Sequence, residues 1–424
     1  MQEIYSSARF ASIIIIYPPE GGSRMTLSKG QIMRIAGMEL NTFNLAPLMQ
    51  DLLEGASIRT AGTPVYDIDG EVLFHRIPIS RGSRSGGYTD IGVNEVLGES
   101  LLAVCSGAVW NEKTLLAQAV AAAKKKVRSI KYDGARFVAY SYPKIAVQFL
   151  LRKEEVLMLE LGSWAEVPKA KSADRDRFQP SNFERWSLVR ELPDRTKKAN
   201  LQKFRKRVAL WDSEDVKKFD PSVINAVKFK KVAKLESIAV VKLFKSRKLH
   251  YSTRDVDHQV CYELRGQQTN VWCVAASTEM LLNFYRYQYD QPRLAQELGL
   301  GTCAHPNGLP YAQVAKVVTV IEKLSSNTLD ATMHTNPGWA IFRDQINANR
   351  PLISFIPGHS RTVAGYIQYL IAPLGQTPFK GLLVYDPWPP TTCAVPNAGG
   401  VITTWENFAT QTYQYAYSAV LKHV

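Results

Sequence analysis

Apolar and polar positions divide the chain into stretches of different rhythm. In PVYDIDGEVLFHRIPI (Pro64–Ile79) two apolar runs flank Asp69-Gly70, which predicts a hairpin turning on that pair. SLLAVC (Ser100–Cys105) reads as another strand. NEKTLLAQAVAAAKKKV (Asn111–Val127) reads as a helix. Asn111 suits its N-cap, alanine is abundant, and lysines gather at the end where the helix dipole favours cations. ARFVAYSYPKIAVQFLL (Ala135–Leu151) reads as two strands broken at Pro143-Lys144, and EEVLMLEL (Glu154–Leu161) as a third. Further on, VAASTEMLLNFYRY (Val274–Tyr287) places small residues first, then Met280, Leu281, Phe284 and Tyr285 at helical spacing. PLISFIPGHSRTVAGYIQYLI (Pro351–Ile371) and KGLLVYDPWPP (Lys380–Pro390) read as apolar strands, with turn chemistry at Pro373 and Gly375 between them. No sequence repeat of fixed period is present.

These elements predict an α+β protein of four parts: a tail at 1–30, a compact α+β accessory unit at 31–170, a basic connector with helices at 171–250, and a second α+β unit at 251–424. Charge sharpens the third part. Residues 195–248 hold 17 Lys+Arg against 5 Asp+Glu, a net +12 of the chain's +14. KKANLQKFRKR (Lys197–Arg207) and KFKKVAKLESIAVVKLFKSRK (Lys228–Lys248) read as amphipathic helices or as linker. Such a segment can contact a polyanion: nucleic acid, an anionic membrane surface or an acidic partner. It lacks the interleaved base-stacking aromatics of a nucleic-acid motif, so a solvated connector is the stronger expectation.

No apolar run reaches the ~18 residues of a membrane span. FASIIIIY (Phe10–Tyr17) is short for a secretory segment and is followed by PPEGGS, so no signal peptide is expected. Cysteines stand at 105, 261, 273, 303 and 393 without any C-x-x-C, so neither a zinc ribbon nor a thioredoxin-type pair is supported. The odd number leaves at least one thiol unpaired within the chain, and with no signal peptide it leans the expectation towards the cytoplasm.

The candidate chemistry lies in RGQQTNVWCVAAS (Arg265–Ser277). A thiol on the first turn of a helix feels the positive end of the dipole, which favours thiolate. A nucleophile also needs a base, an orienter for that base and donors for an oxyanion. Of seven histidines, His359 begins an apolar strand just after Pro357-Gly358, and the next strand ends at Asp386. A hairpin centred between them sets His359 directly opposite Asp386, where a carboxylate would fix the imidazole tautomer and raise its basicity. Gln267 or Gln268, six and five residues before Cys273, offers an uncharged oxyanion donor.

Gln, Cys at a helix start, His at a strand start and Asp at the next strand end together resemble a papain-like cysteine peptidase. QQTNVWCVAAS, GHSRTVAGY and VYDPW are most similar to the double-glycine leader (bacteriocin-processing) peptidases and their stand-alone relatives, and staphopain-type peptidases share the general pattern. The resemblance covers the C-terminal part. It implies a papain-like fold, in which a helix bearing the Cys packs on an antiparallel sheet bearing His and Asp. It further implies Cys273 as nucleophile, His359 as general base and acid, Asp386 as orienter, and Gln267 as oxyanion donor, favoured by its six-residue spacing. It calls for no cofactor and no metal, and for a peptide or protein substrate. The sequence has no G-x-x-x-x-G-K-[ST] phosphate loop and no span, so leader processing during export is not supported.

Other functions use related residues. A transglutaminase-like acyl transferase employs the same Cys-His-Asp constellation, and a decayed triad would leave a polyanion-binding module. Cys303 and His305 in GTCAHPNG are two metal-ligand types, but two ligands do not make a site. Trp388 stands where it either shields the Asp–His pair or simply packs. The accessory unit precedes the catalytic part and a protease-sensitive connector, the placement of an autoinhibitory pro-domain.

Overall fold

The structure, a computed structural model, describes residues 25–82, 84–169, 185–233, 241–249, 264–371, 374, 377–390, 392–394 and 401–422. Phe10–Tyr17, Cys261, Pro373 and Gly375 lie outside the described residues. In chain order the strands are β1 (Ser57–Ile58), β2 (Thr63–Asp67), β3 (Val72–Arg81), β4 (Arg84–Gly92), β5 (Leu101–Ser106), β6 (Gly134–Ser141), β7 (Lys144–Leu151), β8 (Glu154–Glu160), β9 (Val241–Lys248), β10 (Leu329–Thr335), β11 (Leu352–Ile356), β12 (His359–Ile371), β13 (Phe379–Asp386), β14 (Ile402–Asn407) and β15 (Tyr415–Leu421). The helices are α1 (Lys29–Phe43), α2 (Pro47–Leu53), α3 (Glu112–Lys126), α4 (Asp194–Trp211), α5 (Glu214–Lys217), α6 (Ala226–Ala233), α7 (Cys273–Phe284), α8 (Gln291–Leu298), α9 (Lys316–Leu324) and α10 (Trp339–Asn347).

The local expectations for the accessory unit follow from its turn and cap chemistry. Asp69-Gly70 turns β2 into β3, with Gly70 at φ +92°, a region glycine enters without strain. Asn111 caps α3 by accepting the Thr114 N–H, and Lys124 to Lys126 close its last turn. The β6–β7 hairpin breaks at Tyr142-Pro143, one residue before the expected Pro143-Lys144.

All fifteen strands among the described residues join one sheet. Its main path runs β10-β15-β11-β12-β13-β14-β5-β4-β3-β2-β6-β7-β8, with β1 paired to β3 and β9 to β12. Every pairing is antiparallel except β2 with β6. The seam between the accessory and C-terminal parts is β14 against β5, where Thr403 to Glu406 face Ser106 to Ala103. The two parts therefore share a core: Ile77, Ile91 and Val104 belong to the same apolar cluster as Ala364, Ile367, Leu382 and Trp405.

The basic segment is built into this body. α4 buries Phe204, Val208 and Trp211. Its buried Arg207 forms a bidentate pair with Glu39 of α1, at 2.5 and 2.7 Å. Lys203 pairs with Glu99 and Arg205 with Glu95. The second basic stretch is only partly helical. α6 is described as far as Ala233, and β9 pairs with β12 from Gly365 to Ile371.

Candidate active site

α7 owes its position to its small residues. Cys273, Val274, Ala275, Ala276 and Ser277 are all buried, and alanine and serine let the helix approach the sheet closely. Cys273 is the first helical residue, and Trp272 occupies the cap position without a capping side-chain bond. The Trp272 indole N–H instead donates to Leu300 O at 3.0 Å, anchoring the entry to the helix. Cys273 is buried and outside any disulfide. It lines a small cavity of about 30 Å³ together with Val271, Gly308, Leu309, Tyr311, Gly358 and His359.

His359 opens β12 after the tight Pro357-Gly358 turn, where Ile356 faces His359. Gly358 has φ +63°, so proline followed by a left-handed glycine supplies the turn. The register with β13 differs from the expected one. Thr362 faces Tyr385, so Asp386 is level with Arg361 rather than with His359. Gly365 faces Leu383, a slip of three residues from the expected register, and a bulge between Val363 and Gly365 reduces it to two. The displacement is two residues, which keeps both side chains on one face as diagonal neighbours. His359 Nε2 and Asp386 Oδ1 are 2.7 Å apart, and Oδ1 also accepts the Trp388 N–H at 3.0 Å. The other ring nitrogen, Nδ1, is buried without an oxygen or nitrogen partner. Cys273 is the other hydrogen-bonding neighbour of the ring.

Burial disfavours the imidazolium, but the Asp386 carboxylate and then Cys273 outweigh it and lift His359 to about 9. Burial pushes Asp386 the other way. His359, Arg361 and the Trp388 N–H overcome it and hold the carboxyl below its usual range.

Gln267 is buried two residues before Thr269, whose carbonyl accepts its amide at 2.7 Å. Its backbone N–H donates to Pro387 O at 2.9 Å, which ties the glutamine segment to the end of β13. Neither Gln267 nor Gln268 lines the small cavity. Gln268 is held through its backbone N–H, which donates to Gln291 Oε1 at 2.9 Å. Gln291 in turn donates to Gly266 O and to Glu279 Oε2, at 2.8 and 2.9 Å. Burial raises Glu279 to about 7, against the pull of Gln291 and Arg265. Sequence reasoning missed this bracing. Gln291 follows the α8 cap Asp290 and carries no motif of its own.

Cys303 is bonded to Cys393, 90 residues away, and so is not a thiol available to a metal. No cluster of three or more metal-ligating side chains occurs among the described residues. The bond ties the loop leading to Gly308 and Leu309, at the Cys273 cavity, to the segment after Trp388. Disulfides persist in oxidising compartments, which runs against the cytoplasmic leaning of the sequence. Replacing both Cys303 and Cys393 by alanine is expected to cost about 2–4 kcal/mol. Urea unfolding without reductant measures it, and an unchanged midpoint would remove the bond from the stability of this face.

Two N-terminal side chains reach the His359 turn. Ser141 Oγ donates to Pro357 O at 3.0 Å, and Lys144 Nζ donates to Gly358 O at 3.1 Å. Trp388 Nε1 donates to Leu161 O at 3.3 Å. Trp388 is therefore fixed against the accessory strands while its backbone N–H holds Asp386.

Residues 260–416 match the model of the Peptidase_C39 like family. This part of the chain is thus related to the papain-like C39-type cysteine peptidases. No curated protein matches the sequence. Among the described residues, no helix is long and apolar enough to cross a membrane.

Proposed function

From that kinship we propose that the chain is a cysteine peptidase acting on peptide or protein substrates, with Cys273, His359 and Asp386 as its triad. The observation that carries this reading is the His359 ring, bonded to Asp386 through Nε2 and neighboured by Cys273 at the start of α7. Imidazolium beside a thiol favours the thiolate, which attacks the peptide carbonyl. The Cys273 sulfur bonds to the carbonyl carbon, His359 gives its proton to the leaving amine, and water activated by the neutral imidazole releases the acid. The Cys273 backbone N–H and the Gln267 carboxamide are the proposed oxyanion donors. For Gln267 this requires its amide, now on Thr269 O, to share or exchange that bond when substrate binds.

The test is full-length protein incubated with a denatured protein substrate, with and without an amine acceptor, and the products weighed. New peptides ending in free carboxylates support hydrolysis. Adducts carrying the amine would identify acyl transfer instead, and no product from any substrate together with an unreactive Cys273 would remove the enzyme reading.

The pH profile carries a sign. His359 sits above its ordinary value, so it stays charged until pH rises through about 9. We expect kcat/KM to fall on the alkaline side near that value. Asp386→Asn removes the charge that opposes burial, so the limb moves to lower pH and the rate drops by about tenfold or more. A limb that stays put in the variant would separate Asp386 from His359.

Autoinhibition by residues 31–170 gains no support from the cavity at Cys273, whose lining residues all fall between Val271 and Ser360. Polyanion binding through residues 195–248 is weakened by the pairing of Lys203, Arg205 and Arg207 with Glu99, Glu95 and Glu39.

A further inference from the structure

Both carbonyls of the turn that presents His359 are held from the N-terminal part of the chain. Ser141 and Lys144 flank the tip of the β6–β7 hairpin, more than two hundred residues before the turn they grip. The Gly358 carbonyl belongs to the peptide plane that leads into His359, so fixing that oxygen fixes the plane from which the imidazole departs. We propose that Lys144, seconded by Ser141, is a positioning residue for His359, and that the N-terminal part is a working component of the catalytic centre rather than a removable pro-domain. This rests on the peptidase reading given above.

Lys144 is only 4% exposed. A buried ammonium is costly unless it is paired and hydrogen-bonded. Here it has the Gly358 carbonyl, the attraction of the Glu160 carboxylate, and the Tyr140 ring at 5.1 Å from Nζ. Glu160 is itself held by the Tyr140 hydroxyl and by Ser163 Oγ, the latter at 2.8 Å. Burial raises the Glu160 carboxyl above its usual range, against the pull of Lys144, Tyr140, Ser163 and His359. The charged and titratable groups around the imidazole and its turn are thus Asp386 from β13, Cys273 from α7, Arg361 on its own strand, Tyr311, which lines the same cavity and accepts the Gly358 N–H, and Lys144, Glu160 and Tyr140 from the accessory strands. A residue needed only for folding would not change how the thiol responds to pH. A residue that aims His359 would.

The experiment is the rate of Cys273 alkylation by iodoacetamide against pH, read by peptide mass spectrometry on the full chain. The proteins are wild type, Lys144→Met, Ser141→Ala and His359→Ala. Cys105 serves as an internal reference, since burial pushes its thiol up to about 11. At about pH 6.5 Lys144→Met is expected to react roughly ten- to a hundredfold more slowly than wild type, a loss typical of small misplacement. At about pH 10, where a thiol ionises unaided, the two should react alike. Ser141→Ala is expected to move the same way by a smaller factor, and it decides the matter should Lys144→Met fail to fold. Loss of low-pH reactivity in His359→Ala, with wild-type rates in both hairpin variants, overturns the positioning role and leaves the peptidase reading standing. Wild-type rates in His359→Ala as well would overturn both.

Discussion

Cys273→Ala is expected to lower kcat for peptide hydrolysis by roughly 10⁴- to 10⁶-fold, the scale seen when a triad nucleophile is removed. Stability should stay within about 1 kcal/mol of the parent, because the change deletes one sulfur atom from a small-residue helix. The contrast between the two numbers is the point. Cys273 touches a cavity that alanine leaves intact, and the packing of α7 against the sheet is made by Ala275, Ala276 and Met280, which are fully buried. His359→Ala should lose activity on a similar scale, and the double variant should be little worse than either alone, since groups that act as a unit are not additive. Measuring all three on one substrate checks this. Additive losses in the double variant would mean that the two residues act in separate steps and do not form a pair.

How much of this was legible beforehand differs from element to element. Local chemistry read well: the Asp69-Gly70 turn, the Asn111 cap and the break at Pro143 depend on neighbours in sequence. The helix from Cys273 and the strands around His359 and Asp386 also read correctly as elements. Their register did not, because the turn between them is centred near 374 instead of 372.5, a slip of three residues that the bulge between Val363 and Gly365 reduces to two. The two-residue slip preserved parity, which is why the His359–Asp386 pairing survived the error. What could not be read were partnerships between distant segments. Charge in residues 195–248 looked solvated because Glu39, Glu95 and Glu99 lie about a hundred residues or more away. The pairing of β14 with β5 joins strands that carry no sequence sign of each other, yet it turns two expected units into one sheet. The Cys303–Cys393 bond belongs to the same class, since spacing does not give connectivity.

Arg361→Met is expected to give the largest loss of stability, about 3–5 kcal/mol, as for a buried ion pair stripped of one partner. Arg361 reaches Glu406 through two bonds, of 2.5 and 2.9 Å, with both side chains 1% exposed. Glu406 also accepts the Tyr413 hydroxyl at 2.6 Å. It sits on β14 between Leu382 of β13 and Ala103 of β5, at the seam where the accessory strands join. Methionine at 361 would leave that carboxylate buried with only Tyr413 to bond it. Arg361→Met combined with Glu406→Leu should recover most of the loss, because apolar residues of similar volume often replace a buried pair at little expense. Urea unfolding of the two single variants and the double measures these effects. If the double variant proved no more stable than Arg361→Met, the pair would not be the source of the loss, and the seam would depend on the arginine's packing against β13 instead.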